Sequence, residues 1–213
     1  MPRLRVNEIF YSLQGESLTT GRPTSFVRLT GCPLRCSYCD TDYAFDQGEW
    51  MELEQIEEKI RAFKTNLITL TGGEPLAQKN SLELMTRLCN SGYLVSLETS
   101  GALDISQVDP RVSTVLDIKT PGSGEVERNL WSNLESLDKN DQIKFVISSK
   151  IDYQWSVERL AEYALPKKCE VLFSPAFGLQ DATELAERVL ADNLDVRVQI
   201  QLHKILWGNE RGK

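Results

Sequence analysis

A chain of 213 residues, 41% apolar and 26% charged, can bury one substantial core and falls below the length at which domains must split, so one domain over 1–213 is expected. No run nears the roughly 20 apolar residues of a membrane helix, and a formal net charge of −7 argues against a general nucleic-acid binder, because phosphate binding needs Lys and Arg gathered on one face. The first eight residues lack the apolar stretch of a secretory signal, and five cysteines, three of them crowded together, suit a metal in a reducing, cytoplasmic compartment better than a disulfide framework.

In chain order, 25–29 reads as a strand leading into the cysteine loop, and 52–64 places Leu53, Ile56, Ile60 and Phe63 at helical spacing with acidic residues opposite. A strand at 67–71 stops at Gly72-Gly73, and a helix over 82–90 ends before Gly92. Strands follow at 94–98, 114–118, 143–147, 171–173 and 196–202, with helices near 125–137, 153–164 and 181–191. The stretch Thr120-Pro121-Gly122-Ser123-Gly124 reads as a mobile loop. Nearly continuous apolar strands separated by helices form the pattern of a helix-covered parallel sheet. A closed eight-fold barrel takes about 250 residues, so the α/β fold expected is an open, partial parallel barrel of about six strands.

Ligands meet such folds at the carboxyl ends of the strands. Those ends carry Thr30-Gly31-Cys32, Thr71-Gly72-Gly73-Glu74-Pro75, Glu98-Thr99-Ser100-Gly101, Lys119-Thr120-Pro121, Ser174-Pro175-Ala176-Phe177 and His203-Lys204. The first set opens the most informative feature, Cys32, Cys36 and Cys39 on one short loop. An iron–sulfur cluster normally takes four thiolates, so a 4Fe–4S cluster held by three keeps one iron open to a small molecule. Structural zinc needs four closing ligands, and no second Cys or His pair lies nearby. Cys89 and Cys169 fall in apolar patterns and read as buried thiols.

The C-x3-C-x2-C loop with Tyr38 before the last cysteine, followed at a strand end by Gly72-Gly73-Glu74-Pro75, resembles the radical S-adenosylmethionine superfamily. Within it, Gln14-Gly15-Glu16, Phe26-Val27-Arg28-Leu29, Cys39-Asp40-Thr41 and Gln201-Leu202-His203-Lys204 are similar to the 7-carboxy-7-deazaguanine synthase family. That resemblance implies a 4Fe–4S cluster, S-adenosylmethionine and Mg2+, an electron donor such as flavodoxin or ferredoxin, a homodimer, and a pterin substrate. The implied reaction contracts the ring of 6-carboxytetrahydropterin with loss of ammonia, through a 5′-deoxyadenosyl radical.

Carried over by position, Cys32, Cys36 and Cys39 would hold the cluster and Thr41 the Mg2+. Tyr38, Cys39, Asp40, Gly73, Ser100, Asp117, Ile118, Lys119, Ser174, Pro175, Ala176 and Phe177 would meet S-adenosylmethionine, with Gly72 and Gly73 letting backbone approach its methionyl part. Leu13, Gln14, Gly15, Glu16, Arg28, Thr71 and His203 would grip the pterin. Lys144, unusual inside a strand, is either a cofactor or carboxylate contact or a snorkelling surface residue. The chain departs from many members in reading Asp117-Ile118-Lys119 for Ser-Pro-Lys, and in its tail, which lacks the terminal proline of some members. The rival readings are a glycyl-radical-enzyme activase, which shares the cysteine spacing but acts on a partner protein, and a structural zinc- or cluster-binding module.

Overall fold

The computed structural model describes residues 1–213 and contains one nine-stranded sheet in the order β3-β1-β2-β4-β5-β6-β7-β8-β9. Its parallel body is β2 (Pro23–Leu29), β4 (Leu67–Gly72), β5 (Leu94–Thr99), β6 (Ser113–Ile118), β7 (Gln142–Ile147) and β8 (Glu170–Pro175), with a two-residue β9 (Arg197–Val198) at one edge. Two antiparallel strands, β1 (Arg3–Leu13) and β3 (Glu49–Glu52), extend the other edge and were not predicted. Polar residues interrupt both segments, which hides them from an apolar-run criterion.

Alternation along the strands divides two environments. Leu29, Ile68, Leu70, Val95 and Leu97 pack with α1 (Leu53–Arg61) and α2 (Asn80–Asn90) in one core cluster. Leu116, Ile118, Ile143, Phe145, Val171 and Phe173 pack with α3 (Lys150–Glu162) and α4 (Ala182–Ala191) in the other. The intervening residues, among them Arg28, Thr71, Glu98, Asp117, Lys144 and Ser174, face a cavity on the opposite side of the sheet. In β1 the register slips between Val6 and Glu8, leaving Asn7 as the extra residue of a bulge. Val6 therefore stays in the helix-side core, while Glu8 and Phe10 turn inward opposite Arg28 and Phe26.

The sheet remains open but curves on itself. After β1 the chain crosses beneath the strands, so that Gly15 O accepts from Leu202 N at 3.0 Å, Ser17 N reaches Gln199 Oε1 at 2.8 Å and Leu18 N reaches Gln142 Oε1 at 2.8 Å.

Three expectations are corrected. Residues 125–137 form two short 3-10 turns, Val126–Arg128 and Trp131–Glu135, in place of an α-helix. Asn129 breaks the helix by exchanging hydrogen bonds of 2.8 Å with both backbone groups of Lys119. The last strand ends at Val198, and Leu202–Trp207 is a short helix, α5, because Leu202 is captured by the crossing segment at Gly15. The stretch from Thr120 to Gly124 contains a 3-10 turn, Pro121–Ser123, tied to neighbours on both sides, with Ser123 fully buried. No helix is long and apolar enough to cross a membrane.

Candidate active site

The cavity on the inner face has a volume of about 710 Å3, within the range of small-molecule sites. Its wall includes all three loop cysteines, the ends of β2 and β4 to β8, the crossing segment at Leu13–Ser17 in sequence, and the C-terminal residues from Gly208. Every candidate of the sequence reading lines it except Ile118. Alternation sends Ile118 to the helix-side core, where it is 2% exposed, so its side chain cannot meet a ligand here.

The thiols of Cys32 and Cys36 are half-buried and that of Cys39 is exposed; none is in a disulfide. Burial raises all three above the usual thiol value, Cys36 to about 11; neighbouring cysteines add to the shifts of Cys32 and Cys36, and Asp40 and Asp42 to that of Cys39. Loading a metal there must release protons. No three His, Cys, Asp or Glu side chains converge on a point that could hold a single ion. A cluster, which offers a separate iron to each thiolate, suits three sulfurs spread along one loop better than a tetrahedral zinc ion does.

Gly73 packs against the start of this loop: a Cβ there would lie 2.3 Å from Gly31 O and 2.9 Å from the Cys32 Cβ. Close backbone packing against the cysteine loop is thus a sufficient reason for this glycine. Behind it, the fully buried Glu74 carboxylate accepts from Thr99 Oγ1, Ser100 N, Ser100 Oγ and Leu76 N, joining the ends of β4 and β5. Gln201 Nε2 and Thr41 Oγ1 donate to the two oxygens of Asp40 at 3.1 and 2.9 Å. Although desolvation would raise Asp40, these bonds hold its carboxyl below the usual range. Thr41 donates its proton and keeps lone pairs for a hard cation.

Deeper in the cavity the charges alternate. Lys144 Nζ lies 3.3 Å from Glu16 Oε2 and 3.7 Å from Asp117 Oδ2, and Lys119 Nζ lies 3.1 Å from the same Asp117 oxygen. Burial alone would lower both lysines, but the facing carboxylates raise them, so they stay charged. Glu16 shifts upward, since burial and the nearby Glu98 and Asp40 outweigh Lys144. Asp117 Oδ1 is buried without a hydrogen-bond partner, an acceptor left for a ligand donor. Burial also lifts Tyr38, to about 12, with its hydroxyl 3.4 Å from Thr120 Oγ1.

Gln14 Nε2 donates to Thr69 Oγ1 and Glu98 Oε1, while its Oε1 accepts from Glu16 N. Thr71 Oγ1 donates to Glu98 Oε2 at 2.8 Å. Arg28 Nε donates to Glu8 Oε1 at 2.8 Å, which leaves its terminal nitrogens for a ligand, and its guanidinium lies 5.8 Å from the rings of Phe10 and Tyr43. Gly15 stands so close to the His203 ring that a Cβ would meet Nδ1 at 2.1 Å. Burial lowers His203, favouring the neutral ring.

Glu98, Glu8 and Tyr43 also belong to the site, although the sequence motifs give none of them a role. Glu98 was detectable: in Val95-Ser96-Leu97-Glu98, as in Leu70-Thr71 and Leu116-Asp117, apolar and polar residues alternate, and the polar set lines the cavity or bonds within it. Glu8 was hidden by the bulge at Asn7.

A profile of the radical SAM superfamily matches residues 26–112. The chain is 42% identical over 207 residues to a 7-carboxy-7-deazaguanine synthase of Chlorobaculum tepidum, covering 96% of this chain and 94% of that one. It is also 42% identical over 222 residues to a 7-carboxy-7-deazaguanine synthase of Koribacter versatilis, covering 97% and 98%. Among solved structures, that of QueE from Escherichia coli superposes with a TM-score of 0.79 at 26% identity, covering 94% of this chain and 95% of that one.

Proposed function

The chain belongs to the 7-carboxy-7-deazaguanine synthase family of radical SAM enzymes, and from this we propose that it converts 6-carboxy-5,6,7,8-tetrahydropterin to 7-carboxy-7-deazaguanine with loss of ammonia, on the route to queuosine and related deazapurines. The observation that carries the reading is near-full-length identity to synthases of that name, together with one cavity that gathers the cysteine loop and the charged inner face.

In this reading Cys32, Cys36 and Cys39 would hold a 4Fe–4S cluster. Tyr38, Asp40, Gly73, Ser100, Asp117, Lys119 and the segment from Ser174 to Phe177 hold S-adenosylmethionine, with the unpartnered Asp117 oxygen as a free acceptor. Thr41 binds Mg2+. When bound, the cluster and S-adenosylmethionine would supply the radical chemistry of the reaction, hydrogen abstraction by a 5′-deoxyadenosyl radical. The chain's own contribution is placement. Arg28, already fixed by Glu8, pairs with the pterin carboxylate through its planar fork. Leu13, Gln14, Gly15, Glu16, Thr71 and His203 address the heterocycle's donors and acceptors, and the Gln14–Thr71–Glu98 bonds hold these groups in fixed orientations. A homodimer, a flavodoxin or ferredoxin donor and a cytoplasmic site complete the proposal.

The test is anaerobic turnover of 6-carboxytetrahydropterin by the reconstituted protein with Mg2+, S-adenosylmethionine and a reductant, and no partner protein. Formation of 7-carboxy-7-deazaguanine and 5′-deoxyadenosine is expected. An intact cluster with no turnover would count against the substrate, and a requirement for a partner protein would favour an activase.

A further inference from the structure

The cysteine loop is buttressed by a segment that the reaction reading does not use. Ser37 N donates to Ser123 O at 3.0 Å, and Ser37 Oγ donates to Gly122 O at 2.6 Å. Arg35 N, one residue before Cys36, donates to Glu125 Oε1 at 2.6 Å. The buttress is itself anchored. Gly122 N donates to Asp152 Oδ1 at 2.7 Å, and Asp152, at the start of α3 and fully buried, also accepts from Ser148 N and Ser148 Oγ. Ser123 Oγ bonds Thr120 O and receives Glu125 N, which fixes the base of the Glu125 side chain.

The Glu125 carboxylate meets the amide and not the guanidinium of Arg35, which turns back to donate to Cys32 O and Leu34 O and lies 4.1 Å over the Phe45 ring. Amide N–H groups near cluster sulfurs, and the net charge around a cluster, set how readily it accepts an electron. Glu125 acts on both: it takes up the N–H adjacent to Cys36 and puts a negative charge beside the loop. We propose that Glu125 is a positioning residue of the iron–sulfur centre, holding the cysteine loop through the Arg35 amide and biasing a bound cluster toward its oxidised form. This rests on the cluster reading above.

The test is a redox titration, followed by electron paramagnetic resonance, of anaerobically reconstituted full-length wild type, Glu125→Gln and Glu125→Ala, with iron and sulfide measured in parallel. The Gln side chain still accepts the Arg35 N–H but carries no charge. Its iron content should match wild type, while the ratio of reduced to oxidised cluster at a fixed potential should rise about threefold, the scale of one solvent-exposed charge a few ångström from the cluster. Glu125→Ala should show the same rise and lose iron faster to a chelator. Variants that titrate with wild type would overturn the proposal, as would a folded Gln variant that loads no iron. A wild type that assembles no cluster would overturn the cluster reading itself.

Discussion

Arg28 shows how one residue acquires a role through its neighbours. In sequence it is a charged residue in an apolar strand, and only the pairing with Glu8 across the β1 bulge fixes its plane in the cavity. Arg28→Ala should raise the KM for the pterin roughly 10- to 100-fold, the worth of a charged hydrogen-bond pair, with kcat little changed. Arg28→Lys should recover little, because an ammonium lacks the fork. An unaltered KM in both would remove Arg28 from substrate binding. Lys144 makes a thermodynamic prediction. Between Glu16 and Asp117 it is the cation that opposes the upward shift of Glu16, and Lys144→Met should cost roughly 3–5 kcal/mol at neutral pH by stranding buried carboxylates. The Glu16 pKa would then climb further above its unfolded value. A raised folded-state pKa gives stability that is complete below the unfolded value, about 4.3 for Glu, and is lost as pH rises through the folded one. The variant's deficit should therefore shrink on acidification from pH 7 toward pH 5; a deficit independent of pH in chemical denaturation would refute the argument.

At the scale of elements, the glycine at the end of β4 and the segment beyond α5 carry the predictions. Gly73→Ala pushes a methyl group into Gly31 O and Cys32, so cluster loading should fall below half of wild type even where overall folding is kept; full loading with normal S-adenosylmethionine affinity would show that the contact is not needed. Residues 208–213 line the cavity, and the Arg211 guanidinium lies 3.9 Å over the Tyr43 ring. Deleting residues 209–213 should leave the melting temperature unchanged, since the tail adds nothing to either core cluster, while raising the KM for the pterin. A normal KM would make the tail dispensable. The parallel strands and four of the five expected helices were legible because each depends on a local pattern, apolar runs for the strands and helical spacing for the helices. Helix 125–137 failed because Asn129 bonds to Lys119, a contact set by the fold around it.

For the whole molecule, the exposed apolar residues Phe177, Leu179, Ile205 and Leu206, from the β8–α4 loop and α5, fit the proposed homodimer. Light scattering should give twice the chain mass, and Ile205→Glu should shift it toward monomer; a wild-type monomer at micromolar concentration would exclude the dimer. The sequence by itself determined the family and the parallel α/β body, because a three-cysteine motif within eight residues, apolar strand runs and the 3.6 periodicity of the helices are short-range properties. Only the tertiary structure decided which charges meet. Glu16 and Lys144 are 128 residues apart, and Ser17 and Gln199 are 182 apart. Their encounter depends on sheet curvature and on a one-residue bulge at Asn7. A shift of one residue in a strand exchanges its two faces, and that choice is made by the packing of the whole sheet.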